Sequence, residues 1–177
     1  VYVGGQFTTA GGAPANNIAK WNGSTWSALG SGISGASANV LTLAVSGSDV
    51  YAGGRFTTAG GNPAASIAKW NGSAWSALGS GISGFSGTVN ALAISGSNVY
   101  AGGDFTTAGG NPASCVARWN GSAWFPLGSG TQLAVYSLAV SGNDLYAGGG
   151  FSTAGGIPAN NIAKWNGSAW SALGSGV

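Results

Sequence analysis

An all-β protein built from copies of one small antiparallel sheet is predicted by three observations. Tryptophans mark a repeat: Trp21, Trp70, Trp119 and Trp165 recur at intervals of 49, 49 and 46 residues, each followed five positions later by Trp26, Trp75, Trp124 and Trp170. Each copy divides into short apolar runs rich in β-branched and aromatic residues, bounded by turn signals, the usual length and flavour of strands. Glycine supplies 35 of the 177 residues. A long repeat rich in glycine and aromatic residues is the pattern of a β-propeller, whose blades are copies of one sheet. The units expected are 1–49, 50–98, 99–144 and 145–177, in a single repeat domain or part of one, each a four-stranded antiparallel blade.

The strands follow in order within each unit. The first is an apolar segment, VLTLAVSGSD from Val40, VNALAISGSN from Val89 and VYSLAVSGND from Val135. The second is VYVGG from Val1, VYAGG from Val50 and Val99, and LYAGG from Leu145. The third is the NIAKW-like segment and the fourth WSALG or its variant. Ser-Gly-Ser-Asp or a relative joins the first to the second. Asn-Gly-Ser joins the third to the fourth, and a type I′ turn with positive φ at both central residues is expected there. The join from second to third, Phe56 to Ala65 in the second unit, carries Gly60, Gly61 and Pro63 and reads as a loop. The stretch from Gly130 to Val135 is three residues shorter than its counterparts, and length changes of this kind belong in loops. Turns of a meander alternate between its two ends. The tight turns therefore share one face of the assembly, and the long joins and links share the other, which is the expected binding face.

Composition excludes several functions. Five Lys and Arg and three Asp give a net charge of +2, with the basic residues scattered, so no stripe exists to neutralise phosphates. Apolar residues recur at fixed spacing, unlike a disordered chain. No apolar run approaches the roughly 20 residues of a membrane span. Histidine is absent, and no paired carboxylates, catalytic triad or zinc-ligand spacing occurs. No enzyme activity, metal or cofactor is expected.

The eight tryptophans are assigned to structure, as bulky fillers between blades that are otherwise rich in alanine and valine. The pairs Gly53–Gly54 and Gly102–Gly103 are assigned to close packing rather than to a phosphate cradle, since no Lys-Ser or Lys-Thr follows them. Asn22, Asn71, Asn120 and Asn166 each begin Asn-Gly-Ser, which is both a hairpin turn and an N-glycosylation acceptor in a eukaryotic secretory host. Cys115 replaces Asn17, Ser66 and Asn161 of the other units and is neither a disulfide half within the chain nor a repeated ligand. Lys20, Lys69, Arg118 and Lys164 form the one repeated charge, placed to cover apolar surface with their stems or to meet a sugar or an acidic partner once per blade. Gln6, Arg55, Asp104 and Gly150, between the Gly pair and Phe, share no chemistry.

A hydrophobic strand ending in Gly53 and Gly54, then Trp70 and Trp75, resembles the blade of kelch-type propellers. Tryptophan stands at the first aromatic position in place of the usual tyrosine, and the spacing to the second is five rather than six. The run G-x-F-T-T-A-G-G, then I-A-x-W-N-G and W-x-x-L-G, is similar to glycine-rich bacterial repeat propellers and to fungal cell-surface propellers of the Rax2-like type. That resemblance implies secreted or cell-surface modules without a common catalytic site. The copper-dependent galactose oxidase type of kelch-like propeller needs imidazole ligands, which this chain lacks.

The function expected is a non-enzymatic, extracellular or cell-surface structural or protein-interaction module that self-associates or binds other surface proteins. The alternative is a lectin-like binder of glycans with one shallow site per blade, using exposed aromatics such as Phe85. Neither nucleic-acid binding nor membrane insertion is expected. The chain begins in mid-repeat and lacks the inner strand of its first blade, so a fragment of a larger ring or filament, or a protomer that assembles with others, is expected.

Overall fold

The computed structural model describes residues 1–177, which form an all-β chain without helices. Three four-stranded antiparallel sheets dominate it. The second sheet is made of Asn39–Ser46, Asp49–Arg55, Ile67–Trp70 and Trp75–Ala77; the third, of Thr88–Ser95, Asn98–Asp104, Val116–Trp119 and Trp124–Pro126; the fourth, of Val135–Ser141, Asp144–Gly149, Ile162–Trp165 and Trp170–Ala172. The first sheet has three strands, Tyr2–Gly4, Ile18–Trp21 and Trp26–Ala28. Strands adjacent in sequence are adjacent in every one of these sheets, so each is a meander.

The second strand shows why these segments are strands. Val50 and Ala52 are fully buried while Tyr51 between them is partly exposed, the period of two that a pleated chain requires. Each inner strand carries a bulge, with the register shifting between Val40 and Thr42, between Val89 and Ala91, and between Val135 and Ser137. The second glycine of each Gly pair lies against that bulge. A Cβ on Gly54 or Gly103 would overlap the carbonyl oxygen of Asn39 or Thr88.

The two kinds of hairpin turn differ in form, and the second departs from the sequence expectation. Between inner and second strands the turn has two central residues, and Gly47 at the first has φ 59°, as a type II′ hairpin requires. Between third and outer strands the loop has four residues, because Trp21 pairs with Trp26, and only its glycine, Gly23, takes positive φ. This is not a type I′ turn. The Asn22 side chain makes the difference: its Oδ1 accepts the Ser24 N–H, the Ser24 hydroxyl and the Thr25 N–H at 2.9, 3.1 and 2.8 Å. The same arrangement recurs at Asn71, Asn120 and Asn166.

The join from second to third strand is also more ordered than a loop. Thr58–Ala59 pairs with Asn62–Pro63 around Gly60 and Gly61, and the link Ile33–Ser34 from the preceding unit adds a third strand. Pro63 sits on the edge of this small sheet, where it needs no donor. The third unit repeats the arrangement with Ile82–Ser83, Thr107–Ala108 and Asn111–Pro112.

The core lies between sheets rather than within one. Ile18, Leu29 and Ile33, from the first sheet and the link after it, pack with Val40, Phe56, Ala59 and Trp75 of the second sheet and its join. Ile67, Leu78 and Ile82 then pack with Val89, Phe105, Ala108 and Trp124. Val116 and Leu127 pack in turn with Val135, Phe151, Ala154 and Trp170. Packing of this kind joins first to second, second to third and third to fourth sheets, and none of it joins the fourth back to the first.

Candidate functional site

Each junction between sheets is one repeated joint. The second tryptophan of the pair reaches back and donates its indole N–H to a leucine carbonyl of the preceding unit: Trp75 to Leu29 at 2.7 Å, Trp124 to Leu78 at 2.8 Å and Trp170 to Leu127 at 2.8 Å. Beside it, Gly60, Gly109 and Gly155 donate their N–H groups to the carbonyls of Gly32, Gly81 and Gly130, each at 2.8 Å. A buried indole needs a partner for its N–H, and here the neighbouring backbone supplies it. The first tryptophan of each pair is partly exposed and tilts against the second, with ring centroids 5.3 to 5.6 Å apart.

Trp70, Trp119 and Trp165 also approach the preceding unit, where a Cβ on Gly30, Gly79 or Gly128 would lie 3.3 Å from the indole. On the inner side, Gly53 and Gly102 lie against Val89 and Val135 of the next sheet, and a Cβ on either would stand 2.6 Å from the valine methyl. The Gly pair thus serves two close approaches, its first member facing the next sheet and its second facing the bulge.

Trp21 and Trp26 form the pair of the first sheet. Trp26 is partly exposed, whereas Trp75, Trp124 and Trp170 are 6%, 5% and 7% exposed.

The face bearing the joins and links carries a row of shallow clefts, one per junction. Their volumes are about 530, 420 and 310 Å³ from first to last. Phe7, Phe56 and Phe105 occupy equivalent positions in them, while Gln6, Arg55 and Asp104 line the rims. Position 17 and its equivalents turn in the left-handed region, with φ between 60° and 62° at Asn17, Ser66, Cys115 and Asn161. Asparagine tolerates that conformation best. Asn17 ties it down by donating Nδ2 to the Ile33 carbonyl at 2.8 Å, and Ser66 by donating its hydroxyl to the Gly87 carbonyl. Cys115 is buried and free, and burial pushes its thiol above the usual cysteine range.

Phe85 stands between the second and third clefts, 85% exposed, flanked by Arg55 on one side and Asp104 on the other. Its equivalent in the first link is Ala36, and the shortened link before Val135 has no such residue.

The repeated cations have different partners. Lys69 pairs with Asp49 at 3.1 Å and Lys164 with Asp144 at 3.2 Å, within their own sheets. Where Asn98 replaces the aspartate, Arg118 lies over the Phe125 ring at 5.3 Å; in the three-stranded first sheet, Lys20 lies over Tyr2 at 5.6 Å. The aspartates at the hairpin position were the sequence signal for the two ion pairs. Nothing in the sequence announced that every joint would use a main-chain carbonyl as acceptor, since main-chain groups are the same in every residue.

No protein-family model and no curated protein matches the chain. Among solved structures, it is similar to the computationally designed Ika8 protein, with a TM-score of 0.54 at 19% identity over 86% of this chain and 41% of that one. It therefore spans less than half the length of that structure. The computationally designed Ika4 protein is also similar, at a TM-score of 0.47 and 18% identity over 74% of this chain and 68% of that one. The likeness to Ika8 concerns the all-β fold alone.

Proposed function

We propose that the chain is a non-enzymatic β-propeller module of kelch-like repeat type, secreted or displayed on a cell surface, whose role is structural or protein-binding. Its sheets are the blades, arranged about an axis near the inner strands, and the clefts are its contact surface for partners. The observation that carries this reading is the commitment of the indoles to the joints. Three of them are buried and hydrogen-bonded to a neighbouring sheet, which leaves the tryptophans little free surface for a ligand. The Asn-Gly-Ser loops are exposed and accept N-glycans where the host supplies them.

A second reading, glycan binding, is favoured by one residue. Phe85 offers an exposed ring beside a cation and a carboxylate, the combination that stacks on a sugar and orients its hydroxyls. Because Ala36 stands at the equivalent position, this reading places one such site on the chain rather than one per blade. Two variants separate the readings. Trp75→Ala is expected to lower the midpoint of cooperative unfolding sharply, measured by circular dichroism on heating, and a screen of immobilised glycans is expected to retain neither the wild type nor Phe85→Ala. Retention of the wild type that disappears in Phe85→Ala would replace the structural reading with the lectin.

A further inference from the structure

Charge is scarce in this chain, and all but two of its charged side chains are matched within it. Lys69 and Lys164 pair with Asp49 and Asp144, while Lys20 and Arg118 lie over aromatic rings. Of the five cations and three aspartates, Arg55 and Asp104 remain: neither forms an ion pair, and Arg55 lies over no ring. Each is the last residue of a second strand, in adjacent sheets, so both stand at one position of the repeat, on the face of the joins and links. Gln6 and Gly150 hold that position in the first and fourth units, so opposite charges are presented there only once.

The link between these two sheets sets Phe85 between the two charges, lining the Arg55 cleft on one side and the Asp104 cleft on the other. Its ring is so exposed that burial gives the fold almost nothing in return. Its backbone is costly as well. The Gly87 N–H donates to the Gly84 carbonyl at 2.8 Å, closing a four-residue turn, and Phe85 takes φ 53° inside it, a left-handed conformation that bulky side chains disfavour. In the preceding link the matching turn runs from Gly35 to Ala38, and there positive φ falls on Ser37 instead of Ala36. The Ser86 hydroxyl donates to Asp104 Oδ2 at 2.8 Å, which ties the carboxylate to the turn that presents the ring. Strain held at a residue that the fold does not bury points to a binding position.

We propose that Arg55, Phe85 and Asp104 form one docking site for an extended peptide segment of another protein, a segment that carries an apolar side chain between an acidic and a basic residue. The acid meets the Arg55 guanidinium, the base meets the Asp104 carboxylate, and the apolar side chain packs on the Phe85 ring. The inference rests on the protein-binding reading and names the chemistry of its partner. Charge complementarity decides the class: a neutral sugar stacks on the ring and leaves both charges unpaired, whereas a peptide of opposite polarity pairs both. The cleft on the Asp104 side, about 310 Å³ with Leu133 53% exposed on its lining, is small for a ligand pocket and suits a single side chain. An aromatic anchor with polar groups around it is the usual make-up of an interface centre.

A phage-displayed library of random short peptides, selected on the wild-type chain, tests this. Selected peptides are expected to carry acidic, apolar and basic residues in one order, and the double variant Arg55→Asp with Asp104→Arg is expected to select the reverse order. Against a peptide selected on the wild type, Phe85→Ala is expected to weaken binding by about thirtyfold. Arg55→Gln and Asp104→Asn are each expected to weaken it by about fivefold, an effect that fades as salt is raised. Phe85→Gly is expected to lose binding as Phe85→Ala does without lowering the midpoint of thermal unfolding, since glycine adopts φ 53° freely. A lowered midpoint would show the ring to be structural and overturn the proposal. Peptides that bind all three single-site variants as well as the wild type overturn the site and leave the protein-binding reading standing. Selection of no peptide overturns the proposal too; if immobilised glycans then retain the wild type but not Phe85→Ala, the protein-binding reading falls with it and the lectin takes its place.

Discussion

The third sheet and the first are written in nearly the same residues, yet one is enclosed and the other is open. Trp124 and Trp26 each follow Asn-Gly-Ser, each pair across the hairpin with a second indole, and each belong to an outer strand of three residues. Local geometry is the same to within 0.3 Å in the separation of the rings, 5.3 against 5.6 Å. Trp124 is 5% exposed because the second sheet covers it and Leu78 accepts its N–H; Trp26 has no such neighbour. The energetic weight of a repeated residue is therefore set by the adjoining sheet rather than by the residue's own unit. Repeat architectures behave in this way when stability is a sum of unit terms and nearest-neighbour interface terms.

Three measurements test that contrast. Trp124→Ala is expected to cost about 3–5 kcal/mol, the usual range for emptying a buried aromatic site, and Trp26→Ala about 1 kcal/mol. Urea unfolding of the two variants compares them directly; equal losses would break the interface account. Gly102→Ala comes next, at about 1–3 kcal/mol, because its Cβ meets the Val135 methyl at 2.6 Å. Gly148→Ala, at the same place in the fourth sheet, meets only the Ser137 hydroxyl, a side-chain end that can turn away, and is expected to cost under about 0.5 kcal/mol. Thermal melts of the pair sharpen the contrast at the inner strands. The smallest contrast is at the turns: Asn120→Ala and Asn22→Ala are each expected to cost about 1 kcal/mol, since each removes an acceptor that serves three donors within its own loop. A clear difference between those two would show that neighbouring sheets reach even the hairpin ends.

The strands were legible in the sequence because alternation and β-branched residues are local signals: Val50, Tyr51 and Ala52 announce a pleat by themselves. The hairpin ends were legible as turns, but the form of the Asn-Gly-Ser loop was not. Its geometry depends on whether the asparagine backbone or its side chain satisfies the turn, and here Oδ1 does so. The paired segments at Thr58–Ala59 and Ile33–Ser34 were hidden for another reason. Two residues cannot display a period, and the two segments pair with each other across neighbouring units, 24 residues apart for the Ser34 and Thr58 hydroxyls. At the clefts, the variation among Gln6, Arg55, Asp104 and Gly150 was visible, but the exposure of Phe85 between two of them was not.

By itself, the sequence determined the all-β class, the strands of each meander and the places where hairpins turn, since these depend on residues close in the chain. Tertiary structure alone decided which of the indoles is enclosed and which leucine carbonyl accepts its N–H. Burial and hydrogen bonding across a joint belong to two sheets at once, and near-identical units carry no mark of whether a neighbour is present.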